Sequence, residues 1–232
     1  MEQQIAFIIQ ARLASPRLPK KAMLPFWEEE AILDILINKL KRFQNCSIIL
    51  ATSNSPTNLP LVKYAQQAGI SYFQGDESDV LKRFIDAAES QHIEHIIRIC
   101  SDNPFLDIYA IEQLLFSIKD NDNYDYISFS VNNQPSIKTH FGFWTEYVTL
   151  KALKQVAAST NEALYHEHVT NYIYSHPSDF QIKWLPVPEC ITNRYDIRLT
   201  IDTENDFRTA QTIYSDLYKT RIPTIEDIVK YI

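Results

Sequence analysis

Short apolar runs alternate with amphipathic stretches over the first 130 residues of the chain. Residues 5–9 (IAFII) form a continuous apolar run, which is typical of a strand buried on both faces of a parallel sheet. Apolar residues then recur at helical spacing over 31–43, and residues 47–51 (SIILA) form a second apolar run. The chain is therefore predicted to begin with a strand, a helix and a parallel strand.

The alternation continues toward the middle of the chain. It predicts helices over 59–68, 80–89 and 108–119, and strands over 70–73, 95–99 and 126–129. Such repetition favours an α/β fold in which helices cover both faces of a mostly parallel sheet. Because ligands of these sheets bind at the carboxyl ends of the strands, functional residues are expected just after each strand.

The regular pattern breaks between residues 132 and 193. Polar turns there are mixed with a β-like stretch over 140–147, two helices and a strand over 182–185. We interpret 132–193 as a small α+β excursion within a single domain spanning 1–232. Residues 195–201 (YDIRLTI) predict one more strand, and helices over 204–219 and 225–232 close the chain.

Composition narrows the possible functions. The 232 residues are 45% hydrophobic and 22% charged, as in ordinary globular proteins, and the formal net charge of -7 argues against nucleic-acid binding. Three cysteines without a CxxC pair indicate neither a disulfide framework nor a zinc site. The sequence has no run of eighteen apolar residues and no basic leader, so we expect a cytoplasmic protein without a membrane span.

The loop after the first strand concentrates positive charge. Residues 10–21 (QARLASPRLPKK) contain four cations within ten residues: Arg12, Arg17, Lys20 and Lys21. Basic loops are commonly solvated surface, but this one directly follows a buried strand and is stiffened by Pro19. Arginine can hold phosphate oxygens with two hydrogen bonds, and lysine adds a mobile point charge. The loop therefore predicts a polyphosphate site.

Two aspartates are candidates for a metal site. Asp102 follows the predicted strand 95–99, and Asp202 closes the predicted strand 195–201. Mg²⁺ prefers one or two carboxylates together with substrate phosphates. For Asp202 there is an alternative, since it or Thr203 could simply cap the helix that follows.

The basic loop resembles the segment that opens the cytidylyltransferases of CMP-activated acidic sugars, the CMP-Kdo synthetase and spore coat polysaccharide cytidylyltransferase group. Their pattern is roughly Ala-Arg-x-(Gly/Ala)-Ser-x-Arg-Leu-Pro-x-Lys, and Lys20 stands where a glycine is usual. The matching positions are Arg12, Ala14, Ser15, Arg17, Leu18, Pro19 and Lys21. The resemblance implies the Rossmann-type fold of nucleotide-diphospho-sugar transferases, also called GT-A-like.

The resemblance also implies roles for these residues. The loop would wrap the triphosphate of CTP, with Arg12, Arg17, Lys21 and Asp102 as catalytic residues and Mg²⁺ on Asp102 and Asp202, the latter within a family-like Asp-Thr-x-x-Asp segment. Cys100 and Ser101 stand where relatives carry Thr-Gly or Gln-Gly, near the ribose. The implied nucleotide contacts are Ala11, Arg12, Leu13, Ala14, Ser15, Arg17, Lys21, Ala51, Thr52, Ser53, Asp76, Arg83 and Ser101.

Further matches lie in the second half of the chain. Gly142 and Glu146 resemble the Gly-x-x-x-Glu of the family's acceptor and dimer region, and 167–170 (EHVT) matches a family helix. The implied activity is transfer of CMP from CTP to a sugar-like acceptor, such as a nonulosonic or ulosonic acid, with release of pyrophosphate. The implied setting is surface polysaccharide or glycoconjugate biosynthesis by a homodimer.

Two other functions are compatible with the sequence. A GT-A-type glycosyltransferase would use a finished sugar nucleotide and would not need the cations between Arg17 and Lys21. A non-catalytic nucleotide-binding homologue would keep the scaffold without turnover. Two other patterns are not interpreted as metal sites. The histidines of 166–168 (HEH) are two residues apart on a helix and point to different sides, and 120–122 (DND) lies in a polar turn.

Overall fold

The computed structural model describes residues 4–120, 123–219 and 221–232, which form an α/β fold. Its strands are β1 (Ile5–Gln10), β2 (Pro25–Trp27), β3 (Glu30–Ala31), β4 (Cys46–Ser53), β5 (Ser71–Gly75), β6 (His95–Cys100), β7 (Tyr126–Val131), β8 (Gln134–Pro135), β9 (Glu146–Thr149) and β10 (Ile182–Leu185). Its helices are α1 (Ile32–Leu40), α2 (Leu59–Ala68), α3 (Val80–Ser90), α4 (Ile108–Asp120), α5 (Leu150–Ser159), α6 (Ala163–Glu167), α7 (Asn171–Ser175), α8 (Glu204–Leu217) and α9 (Ile225–Tyr231).

The main sheet has the strand order β10-β7-β9-β6-β1-β4-β5, and β8 pairs with β7 at its side. The pairs β6–β1, β1–β4, β4–β5 and β7–β10 are parallel, whereas β9 runs antiparallel between β6 and β7. Strands β2 and β3 form a separate hairpin. The sheet is therefore mostly parallel, as predicted, and the segment 132–193 supplies three of its strands, β8, β9 and β10.

Strand β1 is buried on both faces because it lies at the centre of the sheet. Phe7 and Ile9 pack into a core layer with α1, α4 and α8, while Ala6 and Ile8 pack into a second layer with α3 and α5. Burying one such large apolar side chain stabilises the fold by about 1.5–3 kcal/mol. The two layers fix β1, and with it the loop that follows Gln10.

The predicted strands and helices of the first 130 residues are confirmed, with ends that differ by a few residues. The strand at 182–185 and the two closing helices are also confirmed. The segment 132–193 contains three helices, α5, α6 and α7, where two were predicted.

The predicted strand over 195–201 is wrong. Its backbone donors bind loops instead of a neighbouring strand: Leu199 and Thr200 donate to the carbonyl of His140, and Ile201 donates to that of Asp102 at 3.0 Å. The alternating pattern arises because Ile197, Leu199 and Ile201 are buried in the core while the backbone stays irregular.

The β-like stretch predicted over 140–147 is also largely wrong, since strand β9 begins only at Glu146. Gly142 has a φ of 71°, and an added Cβ there would lie 3.3 Å from the backbone of Leu199. The chain therefore bends at Gly142 to let residues 199–200 approach, which is incompatible with a strand. This contact supports the segment that leads to Asp202.

In the described residues no helix is long and apolar enough to cross a membrane. Of the pattern 120–122, residues 121 and 122 lie outside the described residues, and Asp120 ends α4.

Candidate active site

The basic loop is fixed at its base by hydrogen bonds to strand β4 and to the turn that follows it. Ala11 donates its N–H to the carbonyl of Ala51 at 3.2 Å, and Leu13 donates to Asn58 Oδ1 at 2.9 Å. Asn58 is fully buried, and its Nδ2 donates to Ser53 Oγ at 2.6 Å. Ser53 therefore anchors the loop through Asn58, a residue that lies in an undistinguished polar turn and that the sequence analysis missed.

The loop is closed by Lys20, which adopts a left-handed conformation with φ 60°. Its N–H donates to the carbonyl of Leu13 at 2.9 Å, and its carbonyl accepts from Met23. This conformation costs a residue with a side chain about 1–2 kcal/mol, which explains why a glycine is usual here in the group that the loop resembles. Because Lys20 turns the chain, Lys21 points back into the site.

Lys21 lies among three oxygens from two other loops. Its Nζ is 3.0 Å from Asp102 Oδ2, 3.7 Å from Asp202 Oδ1 and 2.5 Å from the carbonyl oxygen of Ile201. The Lys21 side chain is 14% exposed, so the contacts are partly shielded from solvent. Residues more than eighty positions apart thus meet at one point beyond the sheet.

Asp202 is shared between further cations. Arg17 Nη2 contacts Asp202 Oδ1 at 2.9 Å, and Arg198 Nη2 contacts Oδ2 at 3.1 Å. Arg198 also binds Asp206 Oδ1 through Nε at 2.9 Å. We call Arg17, Lys21, Asp102, Arg198, Asp202 and Asp206 the charge cluster.

Asp206 holds Asp202 in place through the backbone. Its Oδ2 accepts the N–H groups of Asp202 at 3.1 Å and Thr203 at 2.8 Å. Partial burial raises the pKa of Asp206, but hydrogen bonds from Arg198 and Thr203 outweigh burial and lower the pKa well below its usual range. The sequence assigned no role to Arg198 or Asp206, although the spacing Thr203-x-x-Asp206 is a helix-start signature. The cap of α8 is Thr203, not Asp202.

Arg12 and Arg83 form a second positive region beside the loop. Arg12 is exposed and has no hydrogen-bond or ion-pair partner within the parts of the chain that the structure describes. Arg83 is buried and donates from Nη1 to the carbonyl oxygen of Asp76 at 2.5 Å. Burial, and then the charge of Arg12, lower the pKa of Arg83. Two like charges without a shared anion are suited to receiving one.

Arg83 reaches this position because residue 75 is a glycine. A Cβ at Gly75 would lie 3.0 Å from Arg83 Cγ, so a larger residue would displace the arginine. The Asp76 carboxylate is occupied locally, since Oδ1 accepts from the N–H groups of Ser78 and Asp79. Asp76 therefore shapes the turn before α3 instead of presenting a free carboxylate.

The remaining predicted nucleotide contacts differ in how accessible they are. Ala51, Thr52 and Ser53 are buried at the end of β4, and the Thr52 hydroxyl has no hydrogen-bond partner in the described residues. Ala14 is exposed on the loop, while Ala11 and Leu13 are buried beneath it, so these two can offer only backbone groups. Ser15 and Ser101 are both partly exposed.

The turn after Asp102 is held by a buried lysine. Lys39 on α1 donates to the carbonyl oxygens of Pro104 at 2.7 Å and Leu106 at 3.0 Å, and its ammonium lies over the rings of Tyr214 and Tyr218. Burial lowers the pKa of Lys39 to about 7, against the opposing charge of Asp107. No sequence pattern marked Lys39, since it is one of three polar residues on α1 and stands at an ordinary position near the end of the helix.

A buried ion pair begins four residues before Asp102, at Arg98. Arg98 Nη1 contacts Glu146 Oε1 at 2.6 Å across β6 and β9. The same carboxylate accepts hydroxyl hydrogen bonds from Tyr126 and Thr170, and Arg98 also donates to Gln10 at 3.3 Å. Glu146 and Thr170, both in family-like motifs, thus meet inside the protein.

In the pattern 166–168, His166 makes a contact between two helices. His166 Nδ1 lies 2.9 Å from Asp79 Oδ2, and its Nε2 lies 3.0 Å from the carbonyl oxygen of Thr160. The contact with Thr160, and less strongly that with Asp79, raises the pKa of His166. His166 therefore joins α6 to the N-terminus of α3.

The charge cluster fits a divalent cation better than any other part of the site. The ammonium of Lys21 stands in for such an ion, since it is held by two carboxylates and one carbonyl oxygen. Within the described residues no group of three or more histidines, cysteines and acidic residues could hold a metal. Two carboxylates with substrate phosphates are the set that Mg²⁺ commonly uses.

The chain is similar to several known proteins. The spore coat polysaccharide biosynthesis protein SpsF of Bacillus subtilis is 31% identical over 90% of this chain and 86% of that protein. A cytidylyltransferase structure from Leptospira borgpetersenii is 24% identical and superimposes with a TM-score of 0.85 over 100% of this chain and 94% of its own. The structure of CMP:2-keto-3-deoxy-manno-octonic acid synthetase, solved with CTP, is 12% identical. It superimposes with a TM-score of 0.69 over 92% of this chain and 99% of its own.

The two solved structures share the fold, which is that of nucleotide-sugar nucleotidyltransferases. The family model described as cytidylyltransferase matches residues 6–231, a range that contains the loop, both aspartates and Arg198. Since this match extends over nearly the whole chain, the protein belongs to the cytidylyltransferase family and is a nucleotidyltransferase.

Proposed function

We propose that this protein transfers CMP from CTP to a sugar-like acceptor and releases pyrophosphate. The observation that carries the proposal is the meeting of Arg17 and Lys21 with Asp102 and Asp202. A loop of cations suits a triphosphate, and two carboxylates suit the metal that accompanies it. The family match supports cytidine as the nucleoside.

In the proposed reaction an acceptor oxygen attacks the α-phosphorus of CTP. The bond between this phosphorus and the oxygen that bridges to the β-phosphorus breaks, pyrophosphate leaves, and the acceptor proton passes to solvent. Arg12, Arg17 and Lys21 would hold the phosphate oxygens and stabilise the charge that develops on the leaving group. Positioning and electrostatics account for most of the catalysis in such transfers.

Asp102 and Asp202 would hold Mg²⁺, which when bound neutralises phosphate charge and lowers the pKa of the attacking group. Arg198 and Asp206 would fix the second of these carboxylates, and Lys39 the turn that follows the first. Cys100 is close by, but burial raises the pKa of its thiol to about 11 despite Arg98. The thiol is thus protonated at neutral pH, which suits a direct transfer without a covalent intermediate.

The acceptor class is supported by relatives. SpsF of Bacillus subtilis is named for spore coat polysaccharide biosynthesis, and the synthetase structure is named for 2-keto-3-deoxy-manno-octonic acid, an acidic sugar. We propose an acidic sugar acceptor, contacted in part by the excursion 132–193 of a single cytoplasmic domain. The resemblance supports a homodimer, which analytical ultracentrifugation would test.

A glycosyltransferase is the rival enzyme class, because it shares this type of fold. It would bind a finished sugar nucleotide and would release a nucleotide instead of pyrophosphate. The cations at 17 and 21, which would serve a terminal phosphate, favour the cytidylyltransferase.

The test is a screen of four nucleoside triphosphates against neutral and acidic sugars with Mg²⁺, reading pyrophosphate release and the mass of the product. We expect CTP and an acidic sugar to give a CMP-sugar and one pyrophosphate per product. A non-catalytic homologue would give no product with any pair, and a glycosyltransferase would consume a sugar nucleotide instead.

A further inference from the structure

The charge cluster is electrically balanced before any ligand binds. It contains three carboxylates, Asp102, Asp202 and Asp206, and three cations, Arg17, Lys21 and Arg198. The carboxylates that would hold a metal are therefore already paired. A divalent ion that entered alone would bring two uncompensated positive charges into this cluster.

Lys21 does more than balance the charge, because it occupies the position that a metal would take. Its Nζ contacts one oxygen from each proposed metal ligand, Asp102 and Asp202, as well as the Ile201 carbonyl oxygen. An ammonium and a metal ion cannot both lie between the same oxygens. Arg17 adds a second contact to the same oxygen of Asp202.

A nucleotide changes this balance. CTP with a divalent ion carries a net charge of about -2 at neutral pH, since its four phosphate charges exceed those of the ion. Its phosphates would attract Lys21 and Arg17 away from the carboxylates, and the metal would replace them there. Each cation then exchanges one anionic partner for another, with little net cost in charge.

We propose that Lys21 acts as an exchangeable counter-ion that blocks the metal site until a nucleotide arrives. The proposal rests on the proposed function, in that it takes Asp102 and Asp202 as the metal ligands. Metal alone binds weakly, and metal and nucleotide bind together. Because coupling between two ligands is reciprocal, the metal strengthens nucleotide binding by the same factor.

The test is binding of Mn²⁺ alone, without nucleotide, measured from the free-ion electron paramagnetic resonance signal. The variants are Lys21→Met and, as a matched control, Lys20→Met, which removes the same charge from the exposed neighbouring residue. We expect Lys21→Met to bind Mn²⁺ about tenfold more tightly than wild type, since a cation in contact with both ligands is gone. Lys20→Met should change the affinity much less.

The site of the ion is checked by adding Asp102→Asn to Lys21→Met. The gain in Mn²⁺ affinity should disappear, while thermal unfolding shows that both variants are folded. Equal Mn²⁺ affinity in wild type and folded Lys21→Met would overturn the proposal, as would a gain that survives Asp102→Asn.

This measurement is independent of turnover. If CMP transfer occurs but Lys21→Met binds Mn²⁺ no more tightly, the counter-ion proposal fails and the proposed function stands. If the Mn²⁺ affinity rises as expected but no nucleotide and acceptor react, the counter-ion proposal stands and the proposed function fails.

Discussion

Arg98 and Asp102 are four residues apart in the chain, yet their charges are handled in opposite ways. Arg98 pairs with Glu146 inside the sheet, and the side chain of Glu146 is only 1% exposed. Asp102 lies beyond the end of β6, its side chain is 30% exposed, and its partner Lys21 is shared with Asp202. The buried pair of Arg98 and Glu146 is expected to stay fixed, whereas Asp102 and Lys21 can change partners.

The difference follows from where the sheet ends. Within the sheet an unpaired charge would be very costly, so Arg98 and Glu146 must remain together and Tyr126 and Thr170 satisfy the carboxylate. Beyond the strand ends the charge cluster is partly exposed to water, so breaking one contact there costs less than breaking the buried pair. Residues that exchange partners during a reaction therefore belong at the sheet edge, and residues that hold the edge in place belong below it.

The largest expected effect is on stability, at the buried pair. Glu146→Ala leaves Arg98 charged and unpaired, so we expect the free energy of unfolding to fall by about 3–5 kcal/mol in urea denaturation. Glu89→Ala removes an ion pair with Lys154 whose side chains are about half exposed, and should cost about 1 kcal/mol or less. Equal losses in the two variants would contradict the contrast.

Asp102→Asn is expected to lower turnover and to leave stability nearly unchanged, the reverse of the effect at Glu146. We expect turnover, measured as CTP-dependent pyrophosphate release, to fall by about a hundredfold or more because a stabiliser of developing charge is lost. Stability should change little, since Asp102 is partly exposed. Asp120→Asn, the same change at the exposed end of α4, should keep wild-type turnover. Wild-type turnover in Asp102→Asn would show that this carboxylate has no role in the reaction.

A smaller effect is expected at Arg198, which positions Asp202. Arg198→Lys keeps the charge but lacks the planar guanidinium, whose Nη2 binds Asp202 while its Nε binds Asp206. About one charged hydrogen bond worth 1.5–3 kcal/mol is therefore lost. We expect the metal concentration needed for half-maximal turnover to rise by about tenfold. Arg208→Lys, on the exposed face of α8, should leave it unchanged. An unchanged metal requirement in Arg198→Lys would remove Arg198 from the site.

The smallest effect concerns the pH dependence of stability at His166. The folded protein raises the pKa of His166, so the stabilisation is complete below the ordinary pKa and is lost as pH rises through the folded value. Wild type should be more stable than His166→Gln by about 1 kcal/mol or less at pH 6, and the difference should shrink at pH 8. His168→Gln, at an exposed neighbour, serves as the control. A difference that grows with pH would be inconsistent with a protonated contact.

Much of the parallel sheet could be predicted because its strands are short apolar runs, as at residues 5–9 and 47–51. The failures came where tertiary contacts override a local pattern. Residues 195–201 alternate like a strand, but their N–H groups donate to His140 and Asp102. Nothing in the local sequence reveals these distant partners.

The candidate site shows the same division. Arg12, Arg17, Lys21 and Asp102 were identifiable because charged residues right after buried strands are conspicuous. Asn58 and Lys39 were not, since each acts on a distant backbone segment from an ordinary position. The residues proposed to bind the ligand carry a chemical signature in the sequence, whereas the residues that support them are visible only once the chain is folded.

The most direct test of the central claim is a crystal structure with CTP and Mn²⁺, in which anomalous scattering locates the metal. We predict one Mn²⁺ bound by carboxylate oxygens of both Asp102 and Asp202, with Lys21 and Arg17 moved onto the phosphates. Metal density away from both aspartates, or a Lys21 that still contacts Asp102 in the loaded site, would contradict the account.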